Sequence, residues 1–262
     1  VLVDGCDLHV DDTGGDGHPV VFSHGLLLSG DMFRAQVDAL RGRYRCVSYD
    51  HRGQGRSAVP AGRAITIEQC YEDAVALIER LRLAPCHFVG LSMGGFVGMR
   101  LAARRPDLVR SLVLLDTSAD PEPAENVPRY RRLNLVARWL GVGLVAGRVM
   151  PILFGRSFLA DPARAAERRE WRARLAGNRR AIHKAVTGVI ERPGVYDELS
   201  RVRAPTLVAV GEEDVATVPA RAERLHAAIA GSVLARIPRA GHSSTIENPG
   251  EVNRLLAEFL GR

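Results

Sequence analysis

Lysine is almost missing from this chain: of 36 basic residues, only Lys184 is not arginine. Arginine as such is therefore a weak pointer to any ligand, because the composition supplies it everywhere. Cysteine is scarce as well. Cys6, Cys46, Cys70 and Cys86 are scattered, with no C-x-x-C pair and no histidine at metal-ligand spacing, and read as small buried hydrophobes in a reducing compartment. No apolar run reaches the ~20 residues that cross a bilayer. The longest candidate, residues 139–155, is interrupted by Arg148, Pro151 and four glycines. The opening VLVDGCDLHV has neither a basic start nor an apolar signal core, so the cytoplasm is the expected location and no membrane partner is expected. There is no Walker A sequence and no HExxH. The stretch GQGRSA (53–58) nominally fits a dinucleotide fingerprint, but VPAGRA follows it rather than a helix, so no helix N-terminus is there to hold a pyrophosphate. It reads as a loop at the mouth of a site. No cofactor and no metal are expected.

What is present is an ordinary globular composition, 46% hydrophobic and 25% charged, in 262 residues, enough for one large α/β domain or a domain with an insertion. Short apolar runs recur at 19–24, 44–50, 86–90, 111–116, 206–211 and 233–238. Runs of this kind suit strands buried on both faces of a parallel sheet. Helical patterns lie between them, at 32–41, 66–81, 94–105, 219–230 and 248–260. Thr66 with Gln69 fits a capping box, and Pro249 suits a first helical turn. The alternation predicts an α/β fold with a doubly wound, mostly parallel sheet. It lapses over 119–203, which is helical in composition and has no convincing strand. The expected organisation is a core of 1–118 and 204–262, with 119–203 inserted as a helical cap over the strands' carboxyl ends.

The most specific signal is VGLSMGG (89–95). Gly90-Leu91-Ser92-Met93-Gly94 is G-x-S-x-G, directly after a strand and directly before a helix, the context in which a serine sits exposed on a tight, strained turn as a nucleophile. A serine nucleophile needs a base, and the base needs an orienting carboxylate. His242, in the loop RAGHSSTIENP after the last strand, is the candidate base. For the acid, VAVGEEDVATVP offers Glu212, Glu213 and Asp214; Asp214 is favoured, with Asp116 after an earlier strand as competitor. Oxyanion donors are expected at the backbone N–H of Met93, at the helix start, and of Leu26, after His24-Gly25. His24 itself reads as structural.

The ordered motifs SHG, YDHRGQGRS, GLSMGG, GEED…P and AGH resemble the α/β-hydrolase superfamily across almost the whole chain. FRAQVDAL…YRCVSYDHRGQGRSAVP and the closing AAIAGSVLARIPRAGHSSTIENPGEVNRLLAEFL are similar to 3-oxoadipate enol-lactonases and related small esterases. His24-Gly25 is the generic esterase form, where some enol-lactonases carry Ser-Asn. The resemblance implies a serine hydrolase acting on a small ester or lactone through an acyl-enzyme. Carbon–carbon hydrolases and perhydrolases use the same constellation, and a ligand-sensing receptor on this fold would keep it too. Leu27, Leu28, Met93, Met150, Leu153 and Phe154 suit an apolar pocket. Trp139 and Trp171 read first as packing within the insertion, with Trp139 and Val215 as further pocket candidates.

Charge is concentrated in the insertion. Residues 121–200 hold fifteen Arg and Lys against eight Asp and Glu, a net +7 in a chain whose total is +6. The stretch ERREWRARLAGNRRAIHK (167–184) taken alone resembles a nucleic-acid strip, but Trp171 is its only stacking aromatic. Its arginines point at many helical angles, which is the pattern of a solvated face, and no nucleic-acid partner is expected. The sharper alternative is that one or two of Arg168, Arg169, Arg172, Arg174, Arg179 and Arg180 turn inward to clamp a substrate carboxylate, which would suit an acidic lactone.

Overall fold

The computed structural model describes residues 1–261. A two-stranded ribbon, β1 (Leu2–Val3) with β2 (Cys6–Asp7), precedes a seven-stranded sheet. Its strands are β3 (Val10–Asp12), β4 (Pro19–Ser23), β5 (Arg45–Tyr49), β6 (Cys86–Leu91), β7 (Val109–Leu115), β8 (Thr206–Gly211) and β9 (Val233–Ile237). The spatial order is β3-β5-β4-β6-β7-β8-β9, with only β3 antiparallel to its neighbour. Each apolar run read from the sequence is a strand of the parallel part. Those runs are apolar at consecutive positions because helices cover both faces: β6 and β8 are buried at every residue.

The flanking helices are α1 (Arg34–Leu40), α2 (Ile67–Arg80), α3 (Met93–Arg104), and, after the insertion, α9 (Pro219–Ala228), α10 (Ser244–Glu247) and α11 (Pro249–Leu260). The Thr66 hydroxyl accepts from the Gln69 N–H at 3.1 Å and the Gln69 side chain accepts from the Thr66 N–H at 3.0 Å, which closes the start of α2 as the capping box requires. α3 is buried from Met93 through Ala103. Gly98 lets it approach Phe88 and Leu112 of the sheet, where a Cβ would stand 3.0 and 3.1 Å from their side chains.

Between β7 and β8 the chain is helical without a strand: α4 (Val127–Leu140), α5 (Ala146–Leu153), α6 (Arg156–Ala160), α7 (Ala165–Ala176) and α8 (His183–Ile190). α7 buries Trp171 and Leu175, one turn apart, and turns its charges outward. Trp171 is thus packing, as its position suggests. Among the described residues, no helix is long and apolar enough to cross a membrane.

Candidate active site

Ser92 directly follows β6, at the centre of the sheet, and caps the start of α3 with φ 52° and ψ −109°, a region that strains any residue with a side chain. Three bonds hold it there: its N–H donates to the Leu115 carbonyl at 2.9 Å, and its carbonyl accepts from the Thr117 hydroxyl at 2.9 Å and the Phe96 N–H at 3.1 Å. The flanking glycines are a steric necessity. A Cβ on Gly90 would strike the Gly94 carbonyl, and one on Gly94 would strike the Ser23 carbonyl of β4.

His242 lies in the loop between β9 and α10. Its Nε2 is 2.8 Å from Ser92 Oγ and its Nδ1 is 2.8 Å from Asp214 Oδ2. Asp214, in the turn after β8, is locked. Its Oδ1 accepts from the N–H groups of Ala216 (2.8 Å) and Thr217 (2.9 Å), and its Oδ2 also accepts from the Thr217 hydroxyl at 2.7 Å. That hydroxyl is 3.2 Å from His242 Nδ1. Burial alone would depress the His242 pKa, but the Asp214 carboxylate, with Asp116 and Glu247 behind it, outweighs burial and holds it above its ordinary value.

The other carboxylates do different things. Asp116 accepts from the Gly211 N–H at 2.8 Å and from the Ser244 hydroxyl, tying the end of β7 to β8 and α10, and bonds no atom of His242. Burial, then the neighbouring Asp214, pushes its pKa well above the usual range. Glu212 is exposed, and Glu213 accepts from the Ser157 N–H at 2.8 Å at the start of α6. His24 is buried, with Nδ1 2.7 Å from the Gly25 carbonyl and Nε2 accepting the His51 N–H at 2.9 Å. These bonds select the neutral tautomer protonated on Nδ1, and burial lowers its pKa in the same sense. It is a brace for the loop.

Leu26 follows β4, and Met93 is the first residue of α3, where the N–H has no helical acceptor. Neither N–H finds an acceptor among the described residues. The loop carrying Leu26 is clamped one residue later, at Leu27, whose φ is +70°. The Leu27 N–H donates to Gln54 Oε1 at 2.9 Å, and its carbonyl accepts from Asn178 Nδ2 at 2.9 Å. The GQG loop therefore shapes this site, and the insertion grips it from the other side.

Ser92 and His242 open into a cavity of about 140 Å³ between the strand ends and the insertion. Leu27, Leu28 and Leu153 line it; the five other residues proposed for the pocket, Met93 among them, do not. α4 presents Tyr130, Leu133, Asn134 and Ala137 to the cavity, a single helical stripe, and Trp139 falls off that stripe and is 62% exposed. On α5 the lining face is Val149, Ile152 and Leu153, which leaves Met150 buried to one side. Phe154 turns away to stack on Phe158 at 4.8 Å. Val215 is 63% exposed because the turn sends its neighbours Asp214, Ala216 and Thr217 inward.

None of the six arginines of the basic stretch lines this cavity. Arg168 bonds the Phe158 and Asp161 carbonyls, Arg174 pairs with Asp31 at 2.6 Å, and Arg179 donates to the Ser57 carbonyl at 2.5 Å. Arg169, Arg172 and Arg180 are exposed. The inward clamp is therefore absent. The arginine that does reach the cavity is Arg192, between α8 and Pro193, and nothing in its sequence surroundings marks it. Thr217 and Asn178 also escaped a reading by motif, and Gln54 was read only as part of the GQGRSA loop at the mouth of a site. Only Thr217 carried a usable signal, as the last residue of an Asp-x-x-Thr turn ahead of the helix-starting Pro219.

The sequence profile of the alpha/beta hydrolase family matches residues 20–255. RutD of Rhizobium rhizogenes, provisionally named a carbamate hydrolase, is 28% identical over 94% of this chain and 93% of its own. The malate-bound esterase of Thermogutta terrifontis superposes with a TM-score of 0.89 at 32% identity, over 97% of this chain and 93% of its own. The enol-lactonase of Burkholderia xenovorans superposes with a TM-score of 0.92 at 29% identity, over 99% and 98%.

Proposed function

The chain belongs to the alpha/beta hydrolase family and is a hydrolase, and from that premise we propose that it cleaves a small carboxylic ester or lactone by way of a Ser92 acyl-enzyme. The observation that carries this reading is the continuous relay at the cavity floor, 2.8 Å from Ser92 Oγ to His242 and 2.8 Å from His242 to Asp214. His242 Nε2 takes the hydroxyl proton as Ser92 Oγ attacks the carbonyl carbon. The oxyanion that forms accepts from the Leu26 and Met93 N–H groups, which are fixed before substrate arrives and need no reorganisation. Asp214 stabilises the imidazolium, which then protonates the departing alkoxide. Water repeats the sequence and frees the acid. A lactone differs only in that its leaving oxygen stays tethered, and a carbamate ester presents the same carbonyl.

In this reading residues 119–203 form the cap and supply most of the acyl pocket. A cavity of about 140 Å³ accommodates a group the size of a benzene ring, so the acyl part has roughly two to six carbons. With the basic stretch facing elsewhere, an uncharged acyl group suits the pocket better than an acidic one. The test is a series of p-nitrophenyl esters: kcat/KM should peak at short acyl chains and fall steeply by dodecanoate. Failure to hydrolyse any member would overturn the reading.

The base must be neutral to act. Because Asp214 raises the His242 pKa, kcat/KM should fall as pH drops through a value above about 6.5. A pH–rate profile checks this; an acid limb centred below 6 would contradict the assigned base.

A further inference from the structure

On the insertion's side the largely apolar wall of the cavity is broken by a few polar groups, Arg192 among them. Arg192, with only 3% of its side chain exposed, lays its guanidinium 4.2 Å from the centre of the Phe96 ring, and Phe96 sits one helical turn beyond Ser92 on α3. Its Nη1 donates to Glu122 Oε2 at 2.9 Å and to the Val189 carbonyl at 2.7 Å. Its Nε has no partner among the described residues. The cavity also meets Asn134, whose Nδ2 is spent on the His183 carbonyl and the Thr187 hydroxyl, both at 3.1 Å, while its buried Oδ1 has no partner. A buried donor without an acceptor costs roughly 1–3 kcal/mol. Arg192, Glu122, Asn134 and Phe96 all border the same cavity as Ser92 and His242.

We propose that Arg192 is a specificity-determining residue whose guanidinium donates to an uncharged oxygen acceptor, a ketone, ether or amide carbonyl, carried on the acyl part of the substrate. This rests on the hydrolase mechanism proposed above. Glu122 decides the charge class. It neutralises the guanidinium, so a carboxylate entering the pocket would meet a pair with no net charge and would lose its hydration without a counter-ion. A neutral acceptor loses far less on desolvation and gives a partner to a guanidinium whose only bonds among the described residues run from Nη1. Phe96 beneath it keeps the group flat and fixed, so the donor is oriented before the acyl chain arrives.

The test compares p-nitrophenyl 4-oxopentanoate with its near-isostere p-nitrophenyl 4-methylpentanoate and with mono-p-nitrophenyl succinate, each corrected for its rate in hydroxide. Wild type should favour the oxo ester over the methyl ester by about 10- to 100-fold in kcat/KM, the range of a hydrogen bond to a charged donor. It should disfavour the succinate. The double variant Arg192→Met with Glu122→Gln removes the pair without stranding a charge, and should bring the oxo-to-methyl ratio close to one. A merely structural role would slow both esters together and leave the ratio standing. An unselective wild type, a ratio that survives the double substitution, or a preference for the succinate would each overturn the proposal, and the wild-type ratio does so without any variant. Inactivity toward all three esters would instead count against the hydrolase mechanism.

Discussion

Ser92→Ala is expected to lower kcat on a short p-nitrophenyl ester by roughly 10⁴- to 10⁶-fold while the unfolding temperature moves little. The size follows from what the hydroxyl does: without it no acyl-enzyme forms, and only the oxyanion donors and substrate binding are left to accelerate attack by water. The fold should tolerate the change because the strained turn is held by backbone and neighbour, through the Ser92 N–H to Leu115 and the Ser92 carbonyl to Thr117, not by the hydroxyl. Kinetics alongside a thermal melt make the check. Retention of more than a few per cent of wild-type activity would remove Ser92 as the nucleophile.

Asp214→Asn should cost about 10⁴-fold in kcat, while Asp116→Asn should cost far less. An amide at 214 can present its NH₂ to His242 Nδ1 and so favours the tautomer protonated on Nε2, which cannot accept the serine proton. It also removes the charge that supports the imidazolium. Asp116 is close enough to Asp214 to feel its charge, yet its oxygens are taken by Gly211 and Ser244. Its loss should therefore appear chiefly in stability. Measuring both variants on one ester decides the matter, and a larger kcat loss at 116 than at 214 would reverse the assignment of the acid.

The parts of this molecule that were legible in advance are those where one physical cause acts alone. Buried parallel strands must be apolar on both faces, so β4 to β9 read directly as short apolar runs. A serine on a strained strand-to-helix turn needs glycines where neighbouring backbone passes, so Gly90 and Gly94 mark the turn at Ser92. The ribbon and β3 escaped because two or three residues cannot display a period, and β3 is an exposed edge strand. The pocket was half legible. Leu27 and Leu28 follow from their loop, and Leu153 from its place on α5. Trp139 and Met150 were misplaced because the side of an insertion helix that faces the cavity depends on how the helices pack, which composition does not encode. The same blindness hid Arg192. Its neighbours along the chain say nothing, and its partners Glu122 and Phe96 are 70 and 96 residues away. The conspicuous arginines of 167–184 proved to be surface and brace.

The central claim is that a covalent acyl group passes through Ser92 Oγ. It is tested most directly by mixing the protein with a slowly deacylating p-nitrophenyl ester, quenching in acid, and locating the added acyl mass on proteolytic peptides. The account predicts one acyl group per chain, on the peptide containing Ser92, and none in Ser92→Ala. An acyl group on another residue, or turnover with no covalent species even under single-turnover conditions, would contradict it.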